Sequence, residues 1–251
     1  MKILAVARFT MLRLRRSRYL YATFLLILLV VGSMLLVDQM PESTLSMAHN
    51  LSRMIIWLAA IWLGINLVQA DRADGTLRST LTRPISLVEV LAGKLLGGLA
   101  YLTLLSIVFT LAIALAGRHI NANITWNTAL YQIHLLPVHL TVMALAMLLA
   151  QVLPRFASGF IMLLAWDHAY STASVAKVST HLPLWMADVV GALARVIYMI
   201  CPPTSTFYLS YSDFARLDLP AVTYLLLLAY AAHYAIACCL LAAWALNRQE
   251  L

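Results

Sequence analysis

An acid and a base stand side by side in the middle of an apolar run, Asp167-His168, and His139 and His233 occupy the middle of two other apolar runs. Carboxylates and imidazoles inside hydrocarbon are costly, so they face an interior or a water-filled path and pair with one another. At helical rise the four fall near one depth, forming an intramembrane polar layer. Such a layer contacts a substrate or passes protons. It serves equally as a buried hydrogen-bonded network that locks three helices. Met143, Met147 and Met162, with Cys238 and Cys239, add a soft-ligand reading for copper or a sulfur species. Against it stands methionine's ordinary role as an apolar filler, and no metal site is assigned.

A second stretch carries chemistry of a different kind. Residues 69–86 are a polar island between two apolar runs, with Asp71, Arg72, Asp74, Arg78 and Arg83. Asp71 to Leu77 leaves the preceding apolar run as a short helix. Gly75 permits a tight backbone, Thr76 caps a new turn and Pro84 ends it. Ser86-Leu87-Val88-Glu89 has the spacing of a capping box, which opens the next helix. The pattern is helix, break, short amphipathic piece, break, helix. A piece of this kind seats in a groove of a partner and transmits its motion. The simpler alternative is a charged surface loop that only fixes orientation.

The elements that must hold these residues are set by composition. Hydrophobic residues make up 63% of the 251, too many for the polar surface a soluble domain needs. Several runs long enough to cross a hydrocarbon core are nearly free of charge. The expected fold is an all-α polytopic membrane protein, a single domain over 1–251. Six spans are predicted at about Tyr19–Val37, Ile55–Val68, Val88–Ala116, Leu130–Val152, Ala157–Val178 and Val222–Leu246. Strict alternation in segments of about ten residues, as a membrane β-barrel requires, is missing. Residues 1–18 read as an interfacial helix: Ile3, Leu4, Ala7, Met11 and Leu14 recur at helical spacing among six basic residues. Asp38 to Asn50 and Gly117 to Ala129 read as polar loops. Residues 179–220 read as an outer-face or re-entrant segment. Within it Leu184 to Ile200, bearing Asp188 and Arg195, is taken as an outer-face helix and not a seventh span.

Charge sets the orientation. With the N-terminus inside, Lys2, Arg8, Arg13, Arg15, Arg16, Arg18, Arg72, Arg78, Arg83, Lys94, Arg155 and Arg248 fall on the inner side, most of the 17 basic residues. Both termini and the polar island are then cytoplasmic. The net charge of +7 reflects this bias, and no basic patch with interleaved aromatics stands clear of the membrane to bind nucleic acid. Cys201, Cys238 and Cys239 form neither a CxxC pair nor an even framework. There is no GxxxxGK[ST] phosphate loop; Gly93-Lys94-Leu95-Leu96-Gly97-Gly98 lacks both the preceding loop and a following hydroxyl. Energy must come from another chain or an ion gradient.

Asp71-x-x-x-Gly75-Thr76-Leu77, Leu81-x-x-Pro84-Ile85-Ser86 and Gly93-Lys94-Leu95-Leu96-Gly97 together resemble the type-2 permease family of ATP-binding-cassette (ABC) transporters. The family acid is usually Glu and is Asp71 here; a basic residue often follows Pro-hydrophobic-Ser, where this chain has Leu87. The resemblance implies a transport subunit, not an enzyme, in a prokaryotic cytoplasmic membrane. It implies that Asp71, Asp74, Gly75, Thr76, Leu77, Arg78, Leu81, Pro84, Ile85 and Ser86 form a coupling helix docked on a separate ATPase dimer, which binds ATP and Mg. It also implies pairing with a second permease chain, a path between the two, and export as the commoner direction. An outer-face accessory protein is a further expected partner. The competing readings are a non-transporting scaffold that passes ATPase motion outward through 179–220, and an intramembrane enzyme using Asp167 and His168.

Overall fold

The computed structural model describes residues 2–15, 19–36, 41–73, 85–122, 124, 126–164, 183, 185–189, 191–192, 214 and 221–249. Among the described residues the regular structure is entirely helical. Helix α1 is Lys2–Arg15, α2 Tyr19–Leu36, α3 Pro41–Ala73 and α4 Leu87–His119. They are followed by α5 Trp126–His134, α6 Leu136–Val152, α7 Arg155–Leu164 and α8 Ala221–Gln249.

Local chemistry explains the helix ends. Helix α4 starts at the expected capping box: the Glu89 amide donates to Ser86 Oγ at 3.2 Å, and the Ser86 amide donates to Glu89 Oε2 at 2.8 Å. It ends where the Ile120 amide returns to the Ala116 carbonyl and Asn121 takes a positive φ of 55°. Asparagine tolerates that left-handed conformation better than most residues. The run Leu130–Val152 is broken at Leu135 into α5 and α6. Pro137 has no amide hydrogen to give the Ile133 carbonyl and crowds it sterically, which accounts for the kink.

Helix α3 lies at the centre. It packs along α6 and against α4 and α2; α6 in turn packs on α8, and α1 lies along α4. The shared core is Ile56, Ala60, Leu63 and Val68 of α3, Leu91, Leu102 and Phe109 of α4, Met143, Ala146 and Met147 of α6, and Ala242 and Leu246 of α8. Alanine, glycine and methionine let the α3, α6 and α8 backbones approach closely, as helices must where lipid supplies no hydrophobic drive. Gly64 is the tightest of these points: a Cβ there would overlap the Met143 carbonyl and stand 2.7 Å from Ala146 Cβ.

Among the described residues, four helical stretches are long and apolar enough to cross a membrane: Ser43–Arg72, Leu87–His119, Leu130–Val152 and Val222–Arg248. They correspond to the predicted second, third, fourth and sixth spans. The apolar helix α2 coincides with the predicted first span over 18 residues. Of the predicted fifth span, α7 covers the start and the remainder lies outside the described residues. Two loop expectations are corrected: of Gly117 to Ala129, residues 117–119 end α4 and 126–129 open α5. The polar stretch ending at Asn50 is not a loop from residue 41 onward but the first turns of α3, with Thr44, Leu45, Ala48 and His49 buried. Thr44 and His49 face protein instead of water, so the stretch extends the helix. In the outer-face segment, a short helical piece at 185–189 and buried Phe214 are described, with Asp188 exposed. Arg195 lies outside the described residues.

Candidate functional site

The polar island begins in the last turns of α3 and ends at the start of α4. Of its expected residues, Asp71, Ile85 and Ser86 are described; Asp74, Gly75, Thr76, Leu77, Arg78, Leu81 and Pro84 lie outside the described residues. Asp71 is buried, and its carboxylate bridges two cations from two other helices. Oδ1 accepts from Arg13 Nη1 of α1, and Oδ2 accepts from Lys94 Nζ of α4. Lys94 is buried too and also donates to the Leu67 carbonyl. Buried charges persist only when paired and hydrogen-bonded. Here the acid, both cations and a backbone carbonyl satisfy one another, with Arg13 at the wetter rim.

Glycines allow this meeting. Helix α1 lies on a groove made by Gly93 and Gly97 of α4. A Cβ on Gly93 would stand 2.6 Å from Val6 Cβ, and one on Gly97 would stand 2.7 Å from the Ala7 carbonyl oxygen and from Thr10 Cβ. The Gly93-x-x-x-Gly97 motif is thus occupied within the chain by its own N-terminal helix. Met11 and Leu14 pack toward the core, whereas Leu4, Phe9 and Leu12 are exposed. Part of the periodic face expected to lie on the bilayer is therefore a protein-packing face.

Gln69, two residues before Asp71, holds a different pair of elements. Its Nε2 donates to the Ala150 carbonyl of α6 at 2.7 Å, and its Oε1 accepts from Arg155 Nε of α7 at 2.6 Å. The carbonyl only accepts and the guanidinium only donates, so both bonds require this one orientation of the amide. Sequence reading placed Gln69 in the island without a role, and missed Arg13, Lys94 and Arg155 as partners. The signal was present in Lys94: a cation near the start of a spanning helix needs an acid, and Asp71 precedes it across the island.

The intramembrane residues do not assemble as expected. His139 is fully buried, and neither ring nitrogen has a hydrogen-bond partner among the described residues. His233 is exposed on α8, away from the face that carries Ala235 and Cys239. The structure thus does not bring His139 and His233 together; Asp167 and His168 lie outside the described residues. A polar and aromatic cluster occurs instead around the first turns of α3. Gln132 Nε2 donates to Ser52 Oγ at 2.7 Å. Tyr131 meets His49 edge-on at 5.5 Å between ring centroids, hydrogen-bonds Arg53 and contacts Phe214; His134 meets Phe214 and Tyr224. Met143, Met147, Met162, Cys238 and Cys239 are all buried in the apolar core. Among the described residues, no group of three or more His, Cys, Asp or Glu side chains is arranged to hold a metal ion.

No curated protein matches the chain. The family described as ABC-2 family transporter protein matches residues 10–174, about two thirds of the chain, including Asp71, Ser86 and Lys94. Apolar helices of spanning length suit a membrane component of this kind. The chain belongs to the ABC-2 transporter family and is a multi-pass membrane permease component of an ABC transporter.

Proposed function

We propose that residues 69–86 dock on a separate ATPase subunit and pass its ATP-driven motion to the membrane helices. One observation carries this reading: both roots of the segment are built as anchors. At its exit, Gln69 and Asp71 hold four other helices. At its return, Ser86 and Glu89 cap α4 reciprocally. A loop that served only to fix orientation would need no such roots. Within the segment, Asp74, Gly75, Thr76, Leu77, Arg78, Leu81, Pro84 and Ile85 present the docking face. ATP and Mg are bound by the ATPase dimer, and the hydrolysis chemistry is the partner's.

On this reading six spans cross a prokaryotic cytoplasmic membrane with both termini inside. Two permease chains pair, and the working direction is export. The reading is tested by replacing Gly75 with Leu and Pro84 with Ala in the assembled transporter. Loss of ATPase retention or of ATP-driven transport, with the permease still folded, supports it. Unchanged association and transport overturn it.

A further inference from the structure

Gln69 and Asp71 lie two residues apart at the end of α3, yet they hold non-overlapping sets of elements. Asp71 reaches α1 through Arg13 and α4 through Lys94. Gln69 reaches the α6–α7 corner through the Ala150 carbonyl and Arg155. Successive odd positions on a helix differ by about 200° around its axis, so the two side chains leave on nearly opposite sides. The corner that Gln69 holds is bonded within itself: the Leu153 amide returns to the Leu149 carbonyl at 2.8 Å, and Ser158 Oγ bonds the Pro154 carbonyl at 3.1 Å. On the other side, Gly93 and Gly97 seat α1 without a gap. Each side chain is therefore tied to its own closely packed set of elements.

We propose that Gln69 and Asp71 are two separable arms of one clamp. The Asp71 arm delivers displacement of the 74–84 segment to α1 and α4, and the Gln69 arm delivers it to α6 and α7. Both are positioning residues, acting through the elements they grip. The proposal rests on the coupling reading of 69–86 and adds that the output divides at the last turn of α3. Cutting one arm silences one side of the bundle and leaves the other responsive.

Two variants cut the arms without stranding a buried charge. Gln69→Leu removes both bonds to the α6–α7 corner and leaves Arg155 exposed to solvent. Asp71→Leu with Lys94→Met removes both bonds of the Asp71 arm, and Arg13, at the wetter rim, is left to solvent. Single cysteines at Arg8 on α1 and at Phe160 on α7, both exposed, carry an environment-sensitive fluorophore in a Cys201→Ser background; Cys238 and Cys239 are buried. The labelled permease is purified with its ATPase in lipid nanodiscs and trapped with ATP and vanadate. In the otherwise native complex both labels shift. Gln69→Leu is expected to abolish the Phe160 shift and keep the Arg8 shift; the Asp71→Leu, Lys94→Met variant is expected to do the reverse. Both labels behaving alike in each variant overturns the divided clamp, as does no shift at either label in the native complex. A Gly75→Leu, Pro84→Ala control separates the two claims. If it removes both shifts while the arms fail to separate, only the clamp falls. If it leaves both shifts intact, the coupling reading falls with it.

Discussion

Substituting Gly64 by alanine probes the contact on which the bundle is centred. A methyl there overlaps the Met143 carbonyl oxygen and stands 2.7 Å from Ala146 Cβ and 3.1 Å from Met147 N, where ordinary contact begins at 3.4 Å. Two of the three opposing atoms are backbone, so no rotamer change relieves them. Clearing the Ala146 contact parts the α3 and α6 axes by roughly 0.7 Å and still leaves the Met143 carbonyl too close; a gap of that size forfeits about a third of each dispersion contact along the seam. With on the order of forty atom pairs between Ala60, Leu63 and Leu67 on one side and Met143, Ala146 and Met147 on the other, the loss is about 2 kcal/mol. Residual overlap brings it to the upper end of overpacking costs, about 3 kcal/mol. Alanine's better helix propensity returns up to about 1 kcal/mol. Gly32→Ala in α2 is the control, because nothing lies within 4 Å of its added Cβ; it collects the propensity gain alone. The two variants should differ by about 3 kcal/mol. Equilibrium unfolding in mixed dodecylmaltoside and SDS micelles, followed by circular dichroism, measures the difference. Equal stability of Gly64→Ala and Gly32→Ala would refute the close α3–α6 approach.

The remaining expectations concern the joint. Asp71→Asn strands the Lys94 ammonium in a buried site and should cost about 3 kcal/mol; adding Lys94→Met should recover more than half of that in the same unfolding assay. Ser86→Ala removes the α4 cap, worth about 1 kcal/mol, and should speed hydrogen exchange at the Val88–Val90 amides, with Ser86→Asp restoring protection. Gly97→Leu should lift α1 off its groove, so that amide exchange rises across 3–14 while α6 and α8 stay protected.

What could be read from the sequence followed from signals that are local. The apolar runs of α4 and α8 gave bounds within a few residues, and the Ser86–Glu89 capping box needs only four positions. The start of α3 was lost because Ser43, Thr44, Ser46, His49 and Asn50 look like loop; Thr44 and His49 are buried, and just beyond them Ser52 and Arg53 meet Gln132 and Tyr131. The kink at Leu135 was visible as Pro137 but was outweighed by the apolar run around it. The joint was half legible. Asp71 was named from the motif, but Arg13 and Lys94 lie 58 and 23 positions away, and the amide bridge of Gln69 to Ala150 and Arg155 spans 81 and 86. No periodicity encodes such separations. His233 shows the converse limit: its depth could be counted along the run, but the side of α8 it occupies is set by which face carries Ala235, Cys239 and Ala242.

The central claim is that residues 69–86 touch an ATPase, and proximity in the native membrane tests it most directly. A photo-reactive phenylalanine analogue placed at Leu77 or Leu81, activated in membranes before any extraction, should yield an adduct containing this chain and an ABC ATPase subunit. The same analogue at Trp126, near the opposite end of the bundle, should yield none. An ATPase adduct from position 126, or its absence from both 77 and 81 in cells that carry the working transporter, would contradict the coupling role.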